Sequence, residues 1–190
     1  MRPVQLLFVV LAVLMPACGE QAGSNALRFS VLPDWNKGKL RESAEILADV
    51  LAAKLDRPVR YVQTDDYTAC VQALSANVID FVWLGGKTTV DALDAGDGRT
   101  QVLATRDIDL KFRSYFIGNA DSIATGRIQP VDGLQLWRDR IKDVRFTFGS
   151  LNSTSGHLMP RWFLTEAGID PDEDFKRVAY QATGSHAATL

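Results

Sequence analysis

Two kinds of hydrophobic pattern alternate along this chain of 190 residues. In one, apolar and polar positions alternate, as at 27–32 and 144–148, which predicts strands with one buried face. In the other, apolar residues recur three and four positions apart, as at 39–55, which predicts an amphipathic helix. Further strands are predicted at 59–62, 79–84, 102–104 and 112–118, and further helices at 67–76, 88–95 and 134–141. This alternation predicts an α/β fold of doubly wound layers.

The order of these elements also predicts where a ligand would bind. In doubly wound folds, ligands lie beyond the carboxyl ends of the parallel strands. The strand at 79–84 is apolar almost throughout, which predicts burial on both faces. The candidate binding residues at or beyond the ends of the predicted strands are 34–37, Tyr67, 83–87 and 153–155. We therefore expect these segments to face one common site.

The segment Ser153-Thr154-Ser155-Gly156 joins a predicted strand to a predicted helix. The first N–H groups of a helix have no partner within it, so hydroxyl and amide donors converge there and suit an oxyanion. The plainer alternative is a Ser/Thr cap on an ordinary helix. Because Pro160 lacks an N–H, either the helix begins near it, or it begins earlier with a distorted first turn. A nucleotide triphosphate is not indicated, since no phosphate-loop lysine motif is present.

Composition narrows the partners of such a site. The chain is 46% apolar and 23% charged, with a formal net charge of −2, and it has no basic stripe for nucleic acid. A slightly acidic protein must bind an anion with local, aimed donors rather than with a positive field. The histidines, His157 and His186, have no cysteine or histidine neighbours at metal-ligand spacing, so we expect no metal or other cofactor.

The amino terminus predicts export. Arg2 precedes a short apolar run at 4–15 that only Gln5 interrupts, which is typical of a signal at 1–18 rather than of a membrane span. The Ala17-Cys18 junction resembles a lipoprotein cleavage site, with Cys18 lipidated; cleavage by ordinary signal peptidase is the alternative. Residues 19–26 are mostly small or polar and predict a tether. Cys70 then has no disulfide partner, and we expect a buried free thiol.

Residues 146–160, which read FTFGSLNSTSGHLMP, resemble a signature of the phosphonate/phosphite-binding proteins of ABC importers. Three other segments follow the family's order: Tyr67 with its preceding residues, 79–86, and 174–178 followed by 184–186. The resemblance extends over almost the whole of 27–190. Parts of it are also similar to a branch labelled as selenate binders, so the implied guest is a small tetrahedral or related oxyanion.

The resemblance also implies the site residues. The hydroxyls and N–H groups of Ser153, Thr154 and Ser155 would hold the phosphoryl oxygens. Tyr67 would reach the anion from the first lobe, and His186 would reach it from the second. One departure lies at Leu84, where similar phosphonate binders often place a tyrosine, so this chain has one hydroxyl donor fewer. His157 matches no family role, and we expect it to face solvent.

The fold that the resemblance implies is that of a type II periplasmic binding protein with two doubly wound lobes, at 27–111 and 112–190. The second lobe would be incomplete, because the chain ends before the family's members do. The predicted function is a monomeric, lipid-anchored periplasmic protein that closes around an oxyanion and delivers it to an ABC permease in the inner membrane. Soluble export would replace the anchor if Cys18 is not lipidated.

Three alternatives remain open at this point. They are the sensing domain of a membrane signalling receptor, a truncated fragment without function, and a serine hydrolase that uses Ser153 or Ser155 with His186. The hydrolase is disfavoured because there is no Gly-x-Ser-x-Gly elbow and no assigned acid, so we expect no enzyme.

Overall fold

The structure is a computed structural model that describes residues 25–181 and 186–189. Its first sheet contains three parallel strands, β1 (Leu27–Val31), β2 (Val59–Tyr61) and β3 (Phe81–Trp83), in the order β2-β1-β3. Phe29 on the central strand lies opposite Tyr61 on one side and Phe81 on the other. Its ring stacks on that of Phe81 with centroids 5.2 Å apart, so aromatic pairs fix the register of all three strands.

Three helices connect and follow these strands: α1 (Lys37–Leu55), α2 (Tyr67–Ser75) and α3 (Gly86–Ala95). The side chain of Asn36 caps α1 by accepting from two of its first N–H groups, and α1 ends at Asp56, which adopts a left-handed conformation. Small residues of α1, Ala44 and Ala48, are buried against Phe29. The long helix therefore packs closely on the sheet.

The second sheet pairs β4 (Arg145–Phe148) with β5 (Arg177–Tyr180), again in parallel. Around it lie α4 (Ala120–Ala124), α5 (Met159–Glu166), α6 (Pro171–Asp174) and short 3₁₀ turns at Asp107–Lys111, Leu134–Trp137 and His186–Thr189. Its core mixes aromatic and aliphatic side chains. The buried members of this core are Trp137, Ile141, Phe148, Leu164, Ile169 and Phe175.

Two predicted strands are wrong. Residues 102–104 and 112–118 form no strand, and Leu103 and Tyr115 are exposed over 75% and 76% of their surface. An alternating pattern supplies a face for burial, but a strand also needs a hydrogen-bonded neighbour. Within the described residues, the sheets contain β1 to β5 and no partner for these segments.

Two further predictions need correction. The helix predicted at 134–141 is a 3₁₀ turn, Leu134–Trp137, which begins after Gly133 without a side-chain cap. The strand predicted at 79–84 is shorter, and Trp83 is 42% exposed rather than buried on both faces. β3 is exposed because it forms an edge of its sheet among the described residues.

The predicted buried free thiol is confirmed. Cys70 is fully buried, and its Sγ lies 2.8 Å from Thr64 Oγ1. The predicted signal at 1–18 and the lipidated Cys18 lie outside the described residues, as does most of the tether. Among the helices that the structure describes, none combines the length and apolarity needed to cross a membrane.

Candidate functional site

The first side of the site lies at the carboxyl ends of the first sheet. Asp34 follows the central strand β1, Tyr67 begins α2 after β2, and Gly85 precedes α3 after β3. Because parallel strands end at the same edge of a sheet, these three groups lie near one another. We call Asp34, Tyr67 and the amino terminus of α3 the sheet side.

Tyr67 is held in place by its helix and by burial. The side chain of Asp66 caps α2 by accepting from the Ala69 N–H at 2.8 Å, and the Tyr67 side chain is only 4% exposed. The Ser153 side chain lies close to the Tyr67 hydroxyl. Burial, with a further contribution from the charge of Asp34, raises the pKa of Tyr67 to about 12, and Ser153 partly opposes this rise. The phenol therefore keeps its proton and remains a donor across the physiological range.

The second side is the segment Ser153–Gly156, which we call the hydroxyl turn. Ser153 is 2% exposed, and its Oγ accepts the Gly156 N–H at 3.0 Å as a helix cap. The turn that follows, Thr154–Leu158, is π-helical and runs directly into α5. Of the two alternatives for Pro160, the early start with a distorted first turn is therefore the one observed.

A contact between two glycines sets the shape of this turn. The Gly149 N–H donates to the Gly156 carbonyl at 2.7 Å. A side chain on Gly149 would place its Cβ 3.1 Å from the Gly156 Cα, closer than ordinary contact allows. The end of β4 and the hydroxyl turn can approach this closely only because both positions lack a side chain.

The hydroxyl turn lies directly against the amino terminus of α3. The Lys87 N–H donates to Thr154 Oγ1 at 2.7 Å. A Cβ on Gly86 would lie 3.4 Å from the same oxygen, at about ordinary contact distance, so the turn packs closely on this helix terminus. Thr154 thus places a hydroxyl oxygen where a helix terminus attracts negative charge.

Ser155 and Asn152 tie the turn to its surroundings. The Ser155 carbonyl accepts from the Ser114 hydroxyl at 2.8 Å. Asn152 Nδ2 donates to Thr68 Oγ1 on α2 at 2.9 Å, so a side-chain bond crosses from one side of the site to the other. Near this bond is a cavity of about 310 Å³, lined by Asp66, Tyr67, Thr68, Ser150, Leu151, Asn152, Tyr180 and Gln181.

Charged groups gather at Asp34. The Asp34 carbonyl accepts the main-chain N–H of His186 at 3.4 Å, and the imidazole of His186 is exposed. Arg106 lies near the Asp34 carboxylate as well, with its guanidinium carbon 4.9 Å from the centre of the Trp83 ring. Burial raises the pKa of the Asp34 carboxyl, and the charges of His186 and Arg106 oppose that rise.

The structure thus brings most of the predicted site residues together, but the surroundings of two residues differ from expectation. His186, expected to approach from the second lobe, has its main chain bonded to the first-sheet residue Asp34. His157, expected to face solvent, is half-buried, with its ring 5.1 Å from that of Phe148 and its Nδ1 3.0 Å from the Leu151 carbonyl. Its aromatic neighbours keep it from solvent. Leu84 packs against the apolar cluster that contains Tyr67.

Three features of the site were not predicted: the charged surroundings of Asp34, the Lys87–Thr154 bond and the Asn152–Thr68 bond. Gly85-Gly86 after an apolar strand signals a helix terminus, but nothing local shows that Thr154 will meet it. Among the described residues, no group of three or more His, Cys, Asp and Glu side chains is placed to hold a metal ion.

Comparison with known proteins identifies the class. The family model of the periplasmic phosphonate substrate-binding protein of ABC transporters matches residues 29–190. The chain therefore belongs to this family, whose members are substrate-binding proteins, and it has the type II periplasmic binding protein fold.

Individual proteins of this family are also similar to the chain. The probable ABC transporter phosphite-binding protein PhnD1 of Prochlorococcus marinus (strain MIT 9301) is 36% identical over 164 residues, which cover 86% of this chain and 53% of that protein. The phosphonates-binding periplasmic protein of Escherichia coli (strain K12) is 27% identical over 173 residues, 90% of this chain and 48% of that protein. The chain thus spans about half the length of the curated relatives it matches.

Solved structures agree on the fold. The structure of PhnD1 from Prochlorococcus marinus with methylphosphonate matches with a TM-score of 0.67 and 29% identity, covering 87% of this chain and 58% of that one. A binding-protein component of an ABC phosphonate transporter from Pseudomonas aeruginosa matches with a TM-score of 0.62 and 21% identity, covering 86% and 52%. The second likeness concerns the fold alone.

Proposed function

We propose that this protein is the extracytoplasmic solute-binding component of an ABC importer and binds a small oxyanion of the phosphonate, phosphite and phosphate class. The observation that carries the proposal is the meeting of the two sides: the Lys87 N–H at the amino terminus of α3 donates to Thr154 Oγ1 of the hydroxyl turn at 2.7 Å, and the Ser153 side chain lies close to the Tyr67 hydroxyl. Hydroxyl and N–H donors from distant parts of the chain are therefore close together. Membership of a substrate-binding family favours binding over hydrolysis by Ser153 or Ser155.

The hydroxyls can serve an anion without losing their structural bonds. A hydroxyl donates one hydrogen bond and accepts two. Ser153 Oγ accepts from Gly156, and Thr154 Oγ1 accepts from Lys87, so each keeps a proton that can point at an anion oxygen. The N–H groups at the start of the hydroxyl turn add donors, and Tyr67 supplies a protonated phenol from the sheet side.

The remaining parts of the proposal follow from this site. Ser153, Thr154 and Ser155 would hold the anion from one side, and Tyr67 from the other. His186, placed beside Asp34, would donate from its ring. Two lobes, at 27–111 and 112–190, would close around the guest by a hinge motion and present it to the permease. The protein would act as a monomer in the periplasm, anchored to the membrane through lipid on Cys18.

Calorimetric titration with methylphosphonate, phosphite, phosphate, sulfate and selenate tests the proposal. We expect saturable binding of methylphosphonate or phosphite by the purified protein. Thr154→Val should weaken that binding about tenfold or more, because it removes one donor to a charged group at nearly constant volume. Thr165→Val is the matched control, since the Thr165 hydroxyl bonds to the Arg161 carbonyl within α5. No binding of any phosphorus oxyanion, or equal losses in both variants, would contradict the proposal.

A further inference from the structure

Asp34 places a carboxylate beside the proposed anion site, where its negative charge would repel the anion. Asp34 is half-buried, and its main chain is held on both sides. Its N–H donates to the Leu32 carbonyl at 2.9 Å, and its own carbonyl accepts from His186 at 3.4 Å. The segment leading to it is fixed as well, because Leu32 and Pro33 are buried. The carboxylate therefore has a defined position at the carboxyl end of the central strand.

The groups that interact electrostatically with the Asp34 carboxylate come from three separate parts of the chain. Tyr67 approaches from α2, His186 from the last described 3₁₀ turn, and Arg106 from the segment after α3. Tyr67 also lies close to Ser153 of the hydroxyl turn, so the same phenol is near both the carboxylate and the hydroxyl donors. An ionised carboxylate repels an anion that has no proton, but it accepts a strong hydrogen bond from an anion that has one.

We propose that Asp34 is a specificity-determining residue that accepts a hydrogen bond from a protonated oxygen of the guest. The site would then favour phosphonate, phosphite and phosphate, which keep an ionisable proton near neutral pH, over sulfate and selenate, which do not. This inference rests on the proposed function and deepens it. It assigns charge selection to the sheet side and leaves the hydroxyl turn to supply neutral donors.

The first test compares anion selectivity in matched variants. The purified protein, Asp34→Asn and Asp65→Asn are titrated with methylphosphonate and with sulfate at neutral pH. Asp65 is the control because it lies at the same end of the sheet with its side chain 92% exposed, so its loss removes the same charge without touching the site. In Asp34→Asn, an amide donor replaces the repelling carboxylate. We expect the preference for methylphosphonate over sulfate to fall about tenfold or more in that variant, and to stay unchanged in Asp65→Asn.

A preference in Asp34→Asn within about twofold of the unmodified protein would overturn the inference and leave the proposed function standing. Failure of the unmodified protein to bind any of the anions would overturn the proposed function, and this inference with it.

A second measurement uses the unmodified protein alone and covers the case in which Asp34→Asn does not fold. Calorimetric titration in buffers of different ionisation enthalpy counts the protons taken up on binding. The titrations are run above the pH at which methylphosphonate loses its last proton. Because the carboxylate requires a protonated oxygen, methylphosphonate should take up about one proton more than sulfate. If His186 takes up a proton on binding, it does so with both anions, and its contribution cancels when the uptake with sulfate is subtracted from that with methylphosphonate. Equal uptake with the two anions would overturn the inference.

Discussion

The two sides of the site are built in opposite ways. On the sheet side, Asp34 and Tyr67 lie at the ends of regular elements, whose positions are set by strand pairing and by helices packed on the sheet. The hydroxyl turn depends on one glycine contact and one side-chain cap. The sheet side also carries charge, whereas the donors of the turn are neutral. The difference indicates that small changes should disrupt the turn by altering its shape, and the sheet side by altering its electrostatics.

The largest effect is expected from Gly149→Ala. Its new Cβ would meet the Gly156 Cα at 3.1 Å, and backbone cannot move aside as a flexible side chain can. We expect a loss of about 1–3 kcal/mol in the free energy of unfolding and the largest loss of anion affinity among these variants, because the turn must shift. Urea denaturation and calorimetry measure the two effects.

Gly98→Ala is the control for that experiment, since Gly98 has φ +77° but open space around it. It adds backbone strain without a clash, and binding should persist. Unchanged affinity in Gly149→Ala would show that the turn does not depend on the glycine contact.

The next effect in size is expected from Ser153→Ala. The variant loses the cap of the turn, at a cost of about 0.5–2 kcal/mol, and also the hydroxyl that lies close to Tyr67. Affinity should fall about tenfold or more. Asn119→Ala removes a similar cap from α4, where the side chain accepts the Asp121 N–H at 2.9 Å. If both variants lose stability but neither loses affinity, Ser153 is a cap and nothing more.

Tyr67 tests the electrostatics of the sheet side. Its pKa is raised from 10.0 to about 12 in the folded protein, so folding favours the protonated phenol. The resulting stability is complete below pH 10 and is lost as the pH rises through about 12. Tyr67→Phe should remove that part of the alkaline decline and weaken anion binding by about tenfold. Identical alkaline unfolding curves for the two proteins would argue against burial as the cause of the shift.

The smallest effect concerns the bond between the two sides. Asn152→Ala, Thr68→Val and the double variant form a cycle that isolates the 2.9 Å Asn152–Thr68 bond. We expect a coupling of about 0.5–1.5 kcal/mol in anion affinity. Ser75→Ala is the control on α2, because that hydroxyl bonds to Val71 within its own helix. Strict additivity in the cycle would exclude a contribution from the bond.

The sequence predicted best what is local. The strands at 27–31 and 145–148, the long helix α1, the hydroxyl turn and the placement of Tyr67 at a strand end all follow from patterns within a few residues. Alternation alone failed at 112–118, because strand formation depends on a hydrogen-bonded partner strand, which no local pattern identifies.

Local patterns could not predict the contacts that define the site. Lys87 and Thr154 are 67 positions apart, and Asn152 and Thr68 are 84 apart. The charge at Asp34 became interpretable only when its neighbours were known, since a lone aspartate after a strand has many uses. The resemblance to the family supplied the roles proposed for Ser153 to Ser155, but it assigned none to Asp34.

The Asn152–Thr68 bond has a kinetic consequence. It joins the two sides without using any of the hydroxyls proposed to hold the guest. In the proposed mechanism this bond breaks when the site opens, so its energy adds to the barrier for release of the anion. It has little influence on the rate of capture, because capture is limited by diffusion and orientation. This pair would then set how long a captured anion stays in the protein before delivery to the permease. Changes at Asn152 or Thr68 would tune that residence time while leaving the choice of anion untouched.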